Sequence, residues 1–127
     1  MNRGLNIGEI IEKLSHLNDD DVIRFDFGYA YPSMTFNSYR GYYEDVAIGF
    51  NIGNNWQGTD TIVKEFKEFM QSLIGAEWTG YKGGDFIGHK ETSVWIANSD
   101  ADGTSTIVTG IRDLGYGYVI IETGYED

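Results

Sequence analysis

Between Leu5 and Leu17, apolar side chains recur at Ile7, Ile10, Ile11, Leu14 and Leu17, the spacing of one helical face. Asn6 stands before them as an N-cap and Glu9 follows three residues on, so a capping box is predicted. The period then changes. After a turn at Asn18-Asp19-Asp20-Asp21, Ile23, Phe25 and Phe27 alternate with Arg24 and Asp26, which predicts a strand with one wet face. Gly28 to Asn37 carries Tyr29, Tyr31, Pro32, Met34 and Phe36 with few charges. It reads as an apolar loop that folds over a core edge, or else lines a pocket or a subunit contact. From Asp45 to Ile52, Val46, Ile48 and Phe50 alternate with Ala47, Gly49 and Asn51 as a second strand.

Asn51 to Gly58 reads as an exposed loop bearing Trp56. Beyond it, Thr59 or Thr61 can cap a helix whose inner stripe is Ile62, Phe66, Phe69 and Leu73, with Lys64, Glu65, Lys67 and Glu68 outside and Gly75 as its stop. Three strands are expected to follow, Thr92 to Asn98, Thr104 to Ile111 and Gly117 to Thr123, with turns at Ser99 to Gly103 and Asp113 to Gly115. Short consecutive strands favour antiparallel pairing. The pattern therefore predicts an α+β fold, one domain over residues 1–127, with a mixed or antiparallel sheet of about five or six strands and two amphipathic helices on one face.

Composition narrows what such a domain can do. At 127 residues it can bury about two-thirds of its unfolded surface, so it needs neither disulfide nor metal to fold. With no cysteine, thiolate metal sites and a cysteine nucleophile are excluded, and a reducing compartment suits it. No apolar run approaches the roughly 20 residues of a membrane span, and Met1-Asn2-Arg3-Gly4 does not lead into an uninterrupted apolar segment. A soluble, cytoplasmic protein without a membrane partner is expected. Twenty acidic against nine basic side chains give a net charge of -11, which repels nucleic acid polymers and requires any anionic ligand to be met locally.

Catalytic chemistry has little to stand on. His16 closes a helix and His89 lies in a Gly-His-Lys-Glu turn, and neither has the spacing of a metal site or of a nucleophile and its base. Asn98, Asp100, Asp102 and Gly103 match the first half of a calcium loop, with Ile107 at its apolar position. The twelfth position is Thr109 where glutamate is needed, and strands flank the run, so a β-hairpin turn is the reading taken. No catalytic residue, metal or cofactor is assigned.

Two other stretches stand out. Asn37-Ser38-Tyr39-Arg40-Gly41-Tyr42-Tyr43 sets one guanidinium among three phenol rings, and Trp78 to Phe86 again brackets one cation, Lys82, with aromatics and glycines. Arg40 and Lys82 are two of only nine basic residues. Such sets hold a flat ring by stacking and an anion by a positive head. Either could also be ordinary core and glycine turn.

Taken together, Ser38-Tyr39-Arg40-Gly41-Tyr42-Tyr43, Gly80-Tyr81-Lys82-Gly83-Gly84-Asp85-Phe86 and Thr92-Ser93-Val94-Trp95 resemble a family of small phage- and prophage-encoded proteins to which no catalytic activity is attached. The resemblance runs over nearly the whole chain. It implies an anti-defence sponge of the host cytosol, a homo-oligomer that sequesters a nucleotide-derived immune signal such as a cyclic ADP-ribose or a cyclic dinucleotide. On this expectation Tyr39, Tyr42, Tyr43, Tyr81, Phe86 and Trp95 stack on base or sugar. Arg40 and Lys82 meet phosphate. Ser38, Asp85 and Thr92 hydrogen-bond ribose or base edges, and Gly41, Gly83 and Gly84 give close backbone approach. The alternatives are an acidic module that inhibits a host protein, with the aromatics as core, and a nucleotide hydrolase.

Overall fold

A computed structural model describes residues 4–39, 44–53, 61–97 and 106–125. Helix α1, Ile7–Leu14, begins where the capping box predicts: Glu9 N–H donates to Asn6 Oδ1 (2.8 Å) and Asn6 N–H to Glu9 Oε1 (3.0 Å). The box also sets the helix on the sheet, because Leu5 N–H donates to the Val108 carbonyl (2.8 Å) and Ile7 N–H to that of Thr92 (3.0 Å). Asn6→Ala should cost about 1 kcal/mol. The check is a lowered urea midpoint with an unchanged slope.

The strands are β1 (Val22–Phe25), β2 (Ala30–Ser38), β3 (Val46–Ile52), β4 (Glu77–Thr79), β5 (Asp85–Ile87), β6 (Val94–Ile96), β7 (Thr106–Gly115) and β8 (Tyr118–Tyr125), with α2 at Val63–Ser72. Six form one mixed sheet in the order β1-β8-β7-β6-β3-β2, and β4 and β5 form a separate antiparallel hairpin. The closing strands pair antiparallel as expected, while β1 joins β8 and β3 joins β6 in parallel. Alternation sorts the interior into two cores. Ile23, Phe25, Ile48, Val94, Ile96 and Ile121 pack with Ile7, Ile10 and Leu14 of α1 and Val63, Phe66 and Met70 of α2. A smaller cluster of Tyr39, Ala47, Trp95, Ala97 and Ile107 forms apart from the helices.

Several local expectations are corrected. Gly28 to Asn37 is mostly strand, not loop: Pro32 is tolerated because β2 lies at the sheet edge, and the pairing with β3 shifts register between Pro32 and Phe36, where Met34 takes φ 59°. Gly49 faces this bulge, whose Ser33 and Thr35 hydroxyls (2.7 Å apart) fill the space that a Cβ would need.

Arg24, expected on a wet face, is 1% exposed. Its Nη1 donates to the Tyr29 carbonyl (3.2 Å), and its guanidinium lies 5.6 Å from the centre of the Tyr31 ring, so the chain after β1 folds back over it. Its neighbour Asp26 does reach solvent and ties β1 to β8 by accepting from Thr123 N–H (2.8 Å).

Helix α2 starts without a side-chain cap. Ile62 holds the N-cap position and only Glu65 Oε1, accepting from Ile62 N–H (3.1 Å), completes a half-box. Thr61 is occupied elsewhere. Its carbonyl accepts from Ile23 N–H (2.9 Å) and its hydroxyl donates to the Pro32 carbonyl (3.0 Å), so it sits between the two outermost strands of a strongly curled sheet. The buried stripe is Val63, Phe66, Met70 and Leu73, and Phe69 is only partly covered. The C-cap is Leu73, two residues before the expected Gly75, which follows with φ 84° and turns the chain toward β4. The last hairpin turns at Tyr116-Gly117, beyond the expected Asp113 to Gly115. No helix among the described residues is long and apolar enough to cross a membrane.

Candidate functional site

The first stretch enters the structure as the end of β2. Ser38 is fully buried and Tyr39 is 5% exposed. The Tyr39 ring lies on the Trp95 ring, with centroids 4.1 Å apart and planes 11° from parallel. Trp95 Nε1 donates to Asp45 Oδ2 (3.2 Å) and Tyr39 N–H to the Asp45 carbonyl (2.8 Å), so Asp45 ties the two ring-bearing residues together. These two rings hold one another. With Trp95 2% exposed, neither offers an open platform to a ligand. Arg40, Gly41, Tyr42 and Tyr43 lie outside the described residues.

Thr92 has a comparable internal role. At 3% exposure its hydroxyl accepts from His89 N–H (3.0 Å) and its carbonyl from Ile7 N–H, which fixes the 89–92 turn against α1. Three of the expected ligand contacts, Tyr39, Thr92 and Trp95, therefore have a structural use.

The second stretch is the β4–β5 hairpin. Trp78 faces Phe86 and Thr79 faces Asp85 across it, and the two outer side chains are joined by a Thr79 Oγ1 to Asp85 Oδ1 hydrogen bond (3.0 Å). The turn needs its glycines. Gly83 and Gly84 take φ 123° and 94°, and a Cβ on Gly84 would lie 2.7 Å from the Phe86 ring. Gly80 N–H donates to the Gly84 carbonyl (2.9 Å) and Gly83 N–H to that of Gly80 (2.8 Å), so these two amides close the turn instead of facing an anion. What the turn does present is Tyr81, 56% exposed, with the Lys82 ammonium 5.6 Å from its ring centre.

Beside the turn lies a cavity of about 450 Å³ lined by Glu77, Trp78, Thr79, Asp85, Phe86 and Ile87. Phe86 is half-buried against the helix-bearing core, and Trp78 meets Phe36 of β2 edge-on at 5.7 Å. The indole Nε1 of Trp78 is buried and has no hydrogen-bond partner among the described residues. Of this lining, Glu77 and Ile87 fall outside the stretch singled out from sequence, and Trp78 and Thr79 lie within it but were given no ligand contact. Their signal was the in-out alternation on both sides of a glycine-rich turn, which marks a hairpin.

The two stretches thus occupy different parts of the fold. Tyr39 and Trp95 belong to the smaller core, and Phe86 packs on the larger. Phe36 of β2, against Trp78 of β4, joins the strand that leads into Tyr39 to the hairpin.

Both histidines are exposed beside carboxylates, His16 with Glu12 (3.0 Å) and His89 with Glu91 (3.2 Å). Among the described residues no three His, Asp or Glu gather as metal ligands would, and Asn98, Asp100, Asp102 and Gly103 of the calcium-like run lie outside them. Comparison of the chain with protein-family models, curated proteins and solved structures returns no match.

Proposed function

We propose that the protein acts by binding, and that it sequesters a nucleotide-derived small molecule at the β4–β5 turn. The observation that carries this reading is the exposed Tyr81 ring with the Lys82 ammonium beside it on a glycine turn. A base stacked on such a ring gains roughly 1–3 kcal/mol, and an ammonium beside it meets phosphate as a point charge. Asp85 keeps one carboxylate oxygen on Thr79 and turns the other to ribose hydroxyls. Glu77 in the cavity wall repels phosphate, so the anionic end of the ligand lies toward Lys82 and the uncharged end toward Trp78 and Phe86. In the phage setting that the sequence resembles, the ligand is a cyclic ADP-ribose or cyclic dinucleotide immune signal held intact in the host cytosol by a homo-oligomer.

The test is a thermal-shift series with cyclic dinucleotides, ADP-ribose and its cyclic isomers. A ligand at a hundred times its dissociation constant stabilises by about 2.7 kcal/mol, a rise of several degrees for a domain of this size. Tyr81→Ala and Lys82→Ala should each remove the shift, and heating the complex should release the nucleotide unchanged. No shift with any nucleotide sinks the proposal, and a cleaved product would make the protein a hydrolase.

A second reading, an acidic module that inhibits a host protein, is favoured by the net charge of -11 and by aromatic surface away from this hairpin. Salt separates the two. Association through a charged face weakens steeply as salt rises, whereas a stacked small ligand is far less affected.

A further inference from the structure

The tip of the β7–β8 hairpin has no part in the site above. Gly115, Tyr116 and Gly117 all take positive φ (79°, 57° and 86°), and Tyr116 is 99% exposed. Glycine makes this turn without strain, whereas a tyrosine in the left-handed region carries a conformational penalty. Its ring, wholly in water, returns nothing to the fold. Leu114, 45% exposed, and Tyr118 flank it and form with it a shallow apolar concavity of about 350 Å³.

Carboxylates flank this patch on two sides. Asp113 precedes it on β7, its Oδ1 accepting from Gly115 N–H (2.8 Å). On the other side Val22 pairs with Tyr118 and donates to the Gly117 carbonyl (2.8 Å), which brings the Asp19-Asp20-Asp21 turn alongside. The nearby cations are Arg112, paired with Glu122 (3.6 Å), Lys67, paired with Asp19 (3.0 Å), and Lys64 in the first turn of α2. Asp20, Asp21 and Asp113 have no ion-pair partner among the described residues.

We propose that this tip docks a basic segment of another protein. An arginine guanidinium stacks on Tyr116, an apolar neighbour sits between Leu114 and Tyr118, and further cations meet Asp20, Asp21 and Asp113. Exposed tyrosine is a frequent anchor of protein contacts, and the face of its ring attracts guanidinium. The acidic rim selects for a basic partner and against nucleic acid and anionic membrane. The inference rests on the second reading above, the acidic module, whose surface and partner chemistry it names, and it stands on residues other than those of the nucleotide site.

The experiment is a binding screen of the whole protein against arrayed peptides in which arginine is interleaved with leucine or phenylalanine, beside lysine-only peptides of equal charge. The arginine–apolar peptides should be retained in preference. Tyr116→Gly should weaken their binding by about tenfold or more while the melting temperature stays at or above that of the parent. Tyr116→Asn, which also tolerates the left-handed region, gives the same loss should the glycine variant fold poorly. Asp20→Asn with Asp113→Asn should weaken binding and flatten its salt dependence. The proposal is overturned by no retention, by equal retention of lysine-only peptides, or by a Tyr116→Gly protein that binds as the parent does. It is also overturned by self-association in sedimentation that Tyr116→Gly abolishes, since a second copy would then own the face.

Discussion

Trp95→Ala should remove about 3–5 kcal/mol of stability, a large part of what a domain of this size has. Three losses combine. The indole is 2% exposed, so its deletion leaves a cavity in the smaller core. The Tyr39 ring, 4.1 Å away, loses the surface on which it lies. The Asp45 carboxylate, 9% exposed in the parent, loses the Nε1 donor at 3.2 Å. Trp95→Phe should recover much of the loss because it keeps a ring over Tyr39. Equilibrium urea unfolding measures both. A Trp95→Ala midpoint within experimental error of the parent would return Tyr39 and Trp95 to the list of rings open to a ligand.

Gly88→Ala is expected to cost about 3 kcal/mol through overpacking alone. The residue is held on both sides, its carbonyl accepting from Gly75 N–H (2.8 Å) and its N–H donating to the Ala76 carbonyl (2.8 Å). A Cβ there would coincide with the Leu73 carbonyl and lie 3.0 Å from Cζ3 of Trp78, so the β4–β5 hairpin would have to lift from the end of α2. Gly28→Ala is the comparison. Its Cβ would enter open space, and only its φ of 52° opposes the change, so the cost should be about 1 kcal/mol. Equal losses in the two variants would mean that steric contact at Gly88 is not what holds the hairpin. The Gly88 variant should also lose any ligand bound at the Tyr81 turn, since the turn is carried by the strands that move.

What was legible in the sequence was mostly local. The Asn6–Glu9 box lies within one turn of chain and folds as its residues demand. The alternation over Val94, Trp95 and Ile96 assigns those side chains to opposite faces, as the two cores confirm. The failures have long-range causes. Arg24 sits on the polar phase of its strand, yet Tyr29 and Tyr31 fold back over it. Thr61 resembles a helix cap, but its hydroxyl is taken by Pro32 from a distant strand. Tyr116 is no turn-former by composition, so the hairpin was placed too early.

The candidate site divides in the same way. The glycine turn around Lys82 could be read from its own residues, since glycine alone readily adopts positive φ. The contact between Tyr39 and Trp95 could not. It depends on β3 and β6 pairing in parallel, which sets Ala47 beside Trp95 and brings together residues that are far apart in the chain.

The placement of Thr61 between β1 and β2 bears on how copies of the chain can meet. A sheet normally leaves two borders on which a further strand can be templated, the route to fibrils and to many strand-swapped dimers. Here one border is occupied at Ile23 by the Thr61 carbonyl, and the other is bent by Pro32 and Met34. Lateral growth of the sheet is thereby obstructed on both sides. Copies of the chain that meet at these two borders would therefore do so through side chains, not by extending the six-stranded sheet.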